Sequence, residues 1–461
     1  MLTKLGQKFT DGFTKYMPSA YVFALLLTIV TGVLALAFTE SEPIDILAGW
    51  YNGFWDLLAF GMQIVLIIIT AYCIAQSSPV KKGIDYISKF IKTPTQVYLI
   101  IIAFGALLSL ISFGMVVVTA ILGRELALRN KGIHYPFLVA CVYFSFNGWV
   151  CGLSSSIALL LNTENNFLVQ KDILNDTIST SYSLGSTLNM VMILLFVVIS
   201  PILIWLLIPK SHEGKELKDL QAALDDEENS VKEEAHSYKL PYKALSDSLN
   251  NAGWLQITVA ILGLIYIIYH FTTKGFDLNF NIMIFIFFVT GMFLHMTPMR
   301  YSIAMKRASS NISGVLFQYP FYAGIMGIMM ASGLGEKISH ILASVATPES
   351  YAFIAYLTGG VINFAIPSAG GEFAVIGPSI INMVKGLGSP TEVTAMTARA
   401  SMAVAYGESL SNLLQPFFLL IVFPVMGKGI KIQARDVVGY LFIPFVVLFV
   451  IQALLVTYIP L

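Results

Sequence analysis

Apolar residues fall in long blocks along this chain, separated by short polar or charged stretches. A helix needs roughly 20 apolar residues to cross a hydrocarbon core. That rule predicts full spans near 19–38, 55–75, 135–160, 183–208, 254–271, 280–296, 313–333, 396–426 and 437–459. Two further blocks, 97–128 and 350–386, are too long for one span and too short for two plus a loop. The acidic stretch 39–50 reads as a loop. Residues 209–253 read as a strongly polar, solvated linker.

Basic residues decide how the blocks fold, because Lys and Arg gather on the cytoplasmic side. Lys4, Lys8 and Lys15 hold the N-terminus inside, and Lys81, Lys82, Lys89 and Lys92 return the chain there before residue 97. Arg124, Arg129 and Lys131 hold it there again after residue 128, so the first long block is a re-entrant hairpin. By the same reasoning 161–182 lies outside and Arg300, Lys306 and Arg307 inside. The loop 334–349 is then outside, with Lys428, Lys431 and Arg435 inside. The block 350–386 must therefore enter and leave from the outside. The predicted fold class is an all-α polytopic membrane protein, an inverted-repeat secondary transporter with two oppositely oriented re-entrant hairpins and broken spans. Its parts are a first repeat over 1–208, a cytoplasmic linker and reversing helix over 209–279, and a second repeat over 280–461.

The breaks are legible in the letters. Val361 to Phe373 sets Pro367, which lacks a backbone donor, and Gly370-Gly371, which weakens helix, inside an apolar run. In hydrocarbon an unpaired backbone group is costly, so such a kink survives only where protein or a water-filled cavity surrounds it. Ser145-Phe146-Asn147-Gly148 with Gly152 to Ser156 interrupts one span, and Ala405 to Ser409 with Ser411-Asn412 interrupts another.

Composition agrees with this class. Of 461 residues 56% are hydrophobic and 12% charged, against about 25% charged in soluble domains. Balanced totals of 27 basic and 27 acidic residues argue against a nucleic-acid partner. Cys73, Cys141 and Cys151 offer no disulfide or metal spacing, and no cofactor motif is present. The first apolar block exceeds a signal-peptide core and runs into Glu40 and Glu42, so no cleaved leader is expected.

A short carboxylic acid is an anion with an apolar tail, and half-helix N-termini can meet its carboxylate without a buried lysine. The candidate substrate contacts are Ser112, Phe113 and Gly114 at the first hairpin tip, and Asn363, Phe364, Pro367, Ser368, Gly370 and Gly371 at the second. Asn147 and Ser154 on one broken span are expected to face Glu408 and Asn412 on the other. Glu372, Glu408 and Asn412 are the candidate ion-coupling residues, since an ionisable group deep in a span is a functional hypothesis by default. The coupling ion is a proton or sodium. No metal site is firm, and a sodium position near Asn147, Asn363 and Asn412 stays open. The asparagines also have a plain reading as bonds between helices, worth under about 2 kcal/mol each. Each buried methylene adds about 0.8 kcal/mol, which permits modest chain-length preference.

Several stretches carry a resemblance: Gly53 to Gln63, His295-Met296-Thr297-Pro298-Met299, Gln318 to Ile325, the hairpin 361–378, and Ala403 to Glu408. Together they resemble the bacterial short-chain fatty acid transporter family, of the acetoacetate and butyrate carrier type within the ion-transporter superfamily. The resemblance covers nearly the whole chain and is weakest at 209–253. It implies a carrier in the bacterial inner membrane that imports short monocarboxylates on a proton or sodium gradient by an elevator movement, with a homodimer formed through the scaffold. The family's second tip is richer in glycine and is followed by a different polar residue and a tryptophan. Ala369, Glu372 and Phe373 stand there in this chain. A sodium-coupled carrier of a dicarboxylate or amino-acid derivative is the alternative. A membrane-embedded enzyme is a remote one, because all six histidines fall at span ends or in loops.

Overall fold

A computed structural model describes residues 19–56, 58–163, 166–170, 172–211, 213–220, 231–237, 244–275, 280–309, 312–389 and 391–459. These parts are mainly helical: α1 (Ala20–Phe38), α2 (Pro43–Asp56), α3 (Leu58–Gln76), α4 (Ser78–Ser88), α5 (Pro94–Ile111), α6 (Met115–Arg129), α7 (Tyr135–Ser145), α8 (Ser156–Asn162) and α9 (Thr187–Leu207). There follow α10 (Gly253–Lys274), α11 (Phe280–His295), α12 (Pro298–Ser309), α13 (Ser313–Ala331), α14 (Leu334–Ala343), α15 (Tyr351–Ile362), α16 (Ala369–Leu387), α17 (Val393–Ser411), α18 (Leu419–Met426) and α19 (Arg435–Tyr458). Among the described residues six helices are long and apolar enough to cross a membrane, or eight if each bent pair counts as one. Asn281–His295 and Leu316–Ala331, expected as full spans, are shorter apolar helices. The N-terminal lysines used for orientation lie outside the described residues.

Two expectations are corrected. The stretch 39–50 is not a loop, because α2 begins at Pro43 and buries its small-residue face on α13. A Cβ on Gly53 would lie 2.5 Å from the Ala323 carbonyl oxygen, and one on Gly327 would lie 2.2 Å from that of Gly49. Gly49 and Gly53 form a small-xxx-small ridge, which lets backbones meet where lipid supplies no hydrophobic drive. A hydropathy count cannot see such an interface. Secondly, the linker is not simply solvated. Leu217, Val231 and Ala235 are buried. The Tyr135 amide donates to the Lys215 carbonyl at 2.8 Å, the Lys431 amide to that of Leu220 at 3.1 Å, and Arg307 pairs with Glu234. Residues 212, 221–230 and 238–243 of this segment lie outside the described ones.

Both long blocks are helix–tip–helix hairpins, α5–α6 and α15–α16, with tips at 112–114 and 363–368. The first leg of each packs on the interrupted span that follows it: α5 on α7 and its 3-10 continuation Phe146–Cys151, α15 on α17. At the second of these contacts a Cβ on Gly407 would sit 1.9 Å from the Tyr356 carbonyl oxygen. Pro94–Ile111 is by itself long enough to cross. Length alone therefore does not distinguish a re-entrant leg from a span.

Candidate functional site

Each interruption has a local cause. After α7, Gly148 and Gly152 loosen the helix into a 3-10 turn and then an extended residue, Gly152 at φ −105°, ψ −170°. After α17 the chain tightens into Asn412–Leu414, and Gln415 is extended because Pro416 follows it. The α17 and α18 segments then meet at 46°. Both breaks are buried, and they meet each other. Ser409 Oγ donates to the Asn147 carbonyl at 2.6 Å and approaches Asn147 Oδ1 at 3.2 Å. Tyr143 Oη donates to the Asn412 carbonyl at 2.7 Å.

The tips dock on these breaks. At the second, Asn363 Nδ2 lies 3.0 Å from the Glu408 carbonyl, 2.7 Å from Ser411 Oγ and 2.8 Å from Asn412 Oδ1. Gln415 Nε2 donates to the Asn363 carbonyl at 3.1 Å and to Asn412 Oδ1 at 2.8 Å. At the first, the Phe113 amide donates to Ser154 Oγ at 2.8 Å, and the Leu153 amide to the Leu110 carbonyl at 2.8 Å. Ser154, expected to face Glu408 and Asn412, is thus engaged by the first hairpin. The Phe113 ring is edge-on to Phe146, Trp149 and Phe418, with centroids 4.8, 5.2 and 5.3 Å away.

The first tip uses its own donors. Ser112 Oγ accepts from the Gly114 amide at 3.4 Å, and the Met115 amide donates to the Ser112 carbonyl. Gly114 is pressed against Ile67, where an added Cβ would fall 1.8 Å from Ile67 Cδ1. The amides of the first tip are thus engaged within the protein. At the second tip the Glu372 amide closes on the Ser368 carbonyl at 2.7 Å. The amides of Ala369, Gly370 and Gly371 before it have no backbone partner among the described residues, as the first turn of any helix leaves them. The Ser368 side chain caps none of them. Gly370 faces open space, and Pro367 is buried while Phe364 and Ser368 are partly exposed.

Glu372 and Glu408 are fully buried, close enough to feel each other electrostatically, and form no salt bridge among the described residues. Among the described residues none of their four carboxylate oxygens has a hydrogen-bond partner, and neither do Asn363 Oδ1, Gln415 Oε1, Asn147 Nδ2 or Asn412 Nδ2. The Asn412 side chain stands against the Glu408 carboxyl group. The cluster is rich in unmet oxygens, so a positively charged particle suits it, whether proton or metal ion. No group of three His, Cys, Asp or Glu residues among the described ones could hold a metal.

Sequence reading set Ser409 and Ser411 in the second interruption without giving them a role, and missed Tyr143 and Gln415; Tyr143 and Ser409 tie the two breaks together, and Ser411 and Gln415 tie the second break to the second tip. It also missed the rings of Tyr319 and Tyr322, packed on Phe417 with centroids at 4.6 and 4.8 Å. Pro416 was the available signal for Gln415. The tyrosines look like any apolar helix face.

The family model for short chain fatty acid transporters matches residues 1–459. A protein of Haemophilus influenzae, provisionally named a short-chain fatty acid transporter, is 33% identical over 446 residues, covering 95% of this chain and 96% of its own. One of Escherichia coli K12 with the same provisional name is 33% identical over 442 residues, again covering 95% and 96%. Among solved structures, the YdaH transporter of Alcanivorax borkumensis is 16% identical with a TM-score of 0.43, covering 98% of each chain. MtrF of Neisseria gonorrhoeae, described within a class of antimetabolite efflux pumps, is 13% identical with a TM-score of 0.44, covering 98% of this chain and 97% of its own. Scores this low carry no weight for the site.

Proposed function

We propose, on the premise that this chain belongs to the short chain fatty acid transporter family and is a multi-pass membrane protein, that it imports short monocarboxylates across the bacterial inner membrane, coupled to a cation gradient. The observation that carries this reading is the convergence of two hairpin tips on two span breaks that are hydrogen-bonded to each other. The carboxylate binds at the α16 N-terminus, where free amides and the positive end of the helix dipole coincide. Phe364 lies against the tail. Glu372 and Glu408 with Asn412 take the coupling ion, proton or sodium, whose charge offsets the paired carboxylates as the anion arrives. A dicarboxylate fits less well, because two buried acids already stand beside the tip.

The hairpins and broken spans form the moving unit, and α2 with α13 belong to the scaffold. The close glycine contact between these two helices supports a rigid frame. Inverted-repeat topology, an elevator step and a scaffold-mediated homodimer are part of the same proposal. Uptake of radiolabelled butyrate into proteoliposomes, under separately imposed proton and sodium gradients and corrected for passive entry of the protonated acid, tests it. Accumulation on one gradient is expected. No protein-dependent uptake on either would overturn the reading.

A further inference from the structure

A cavity of about 890 Å³ lies away from the tips, bounded by the start of α15, the end of α16, the start of α17 and the last turn of α19. These are the ends of apolar helices, so the cavity belongs at the membrane–water boundary, where Tyr351 and Tyr458 also line it. Among the described residues its charged lining is one cation and two anions: Arg399, Glu349 and Glu392. The Arg399 side chain is 9% exposed. Its Nε and Nη2 donate to the Val456 carbonyl at 2.9 and 2.8 Å, and Nη1 has no hydrogen bond among the described residues. Glu392 is held in place by Ser389 Oγ at 2.6 Å.

A simple anion would meet two carboxylates there, and a simple cation would meet a buried guanidinium. A molecule carrying both charges answers both ends. Phe353 and Leu454 add an apolar wall on which a hydrocarbon chain can lie, and Leu454 is 53% exposed along it. We propose that this cavity holds a phospholipid headgroup bearing a phosphate and a primary ammonium, the phosphate on Arg399 and the ammonium between Glu392 and Glu349, with an acyl chain along Phe353 and Leu454. The lipid joins the base of the second hairpin to α17 and α19. A role for Arg399 solely in capping α19 would need neither the carboxylates nor the apolar wall.

The test uses full-length protein in detergent, supplied in turn with phosphatidylethanolamine, phosphatidylglycerol, phosphatidylcholine or free phosphoethanolamine, with adducts counted by native mass spectrometry. Phosphatidylethanolamine is expected to stay bound at collision energies that strip the other two lipids, since choline has no N–H to offer Glu392. Free phosphoethanolamine is expected to give no adduct. Leu454→Trp, at an exposed position that leaves the fold alone, should weaken the adduct by crowding the wall on which the acyl chain lies. Glu392→Gln should abolish the preference over phosphatidylcholine. Equal retention of the three lipids, an adduct unchanged in both variants, or equal binding of free phosphoethanolamine would overturn the assignment.

Discussion

The two hairpin tips are built from similar letters and do different physical work. Ser112-Phe113-Gly114 is buried, and its polar atoms are spent inside the protein, on Ser154 and on its own turn. Its ring completes an aromatic cluster, and its glycine makes room for Ile67. Among the described residues the second tip keeps three amides without a backbone partner, leaves Gly370 facing open space and stands beside buried carboxylates. Serine and glycine at a helix break thus serve two ends. Where a neighbour supplies the partner, they are joinery. Where none does, they can receive a ligand.

Three substitutions would break or sharpen this contrast. The largest effect is expected from Glu408→Gln, which removes a charge from the open side. Gradient-driven butyrate accumulation should fall to equilibrium while folded protein remains, as monitored by size-exclusion profile; wild-type accumulation would remove Glu408 from coupling. Next comes Ser368→Ala, with no cap to lose. One hydrogen bond to a charged group is worth about 1.5–3 kcal/mol, so apparent KM should rise roughly tenfold to a hundredfold at unchanged Tm. An unchanged KM would take this tip's hydroxyl out of the site. The smallest effect on transport is expected at the closed tip. Gly114→Ala should cost about 1–3 kcal/mol of stability through overpacking on Ile67, with KM unchanged. Adding Ile67→Val, which removes the clashing Cδ1 methyl, should restore much of the lost Tm. A rise in KM in the stable double variant would show that the first tip also handles substrate.

Much of the fold was readable because its signals are local. Twenty-residue apolar blocks, Pro367 and the glycine pair at 370 and 371 need no partner to be interpreted. The blocks at 97–128 and 350–386 correspond to α5–α6 and α15–α16, and the interruption near 145–156 contains the first observed break. The second break comes later than expected: 405–411 is regular helix, because Gly407 is held within α17, and the break begins at Asn412, ahead of Pro416. The helix at Pro43–Asp56 was read as loop because its stability comes from a glycine face against α13, and a charge count sees only Glu40, Glu42 and Asp45. The docking of the linker through Leu217 and Glu234 was invisible for the same reason. Its partners lie elsewhere in the chain.

The sequence by itself determined that the chain is a membrane-embedded helical protein with broken spans, because hydropathy and backbone hydrogen bonding act residue by residue. It also set out the polar letters from which a site would be drawn. Only the tertiary structure decided which of those letters remain unspent. Ser112, Ser154 and Ser368 are alike as text, and they differ in whether another segment arrives with a donor or acceptor. The structure also put Glu372 beside Glu408, and Asn147 against Ser409, across separations that no local pattern encodes. Hydrogen-bond satisfaction is a property of pairs, and the pairs exist only once the chain has folded.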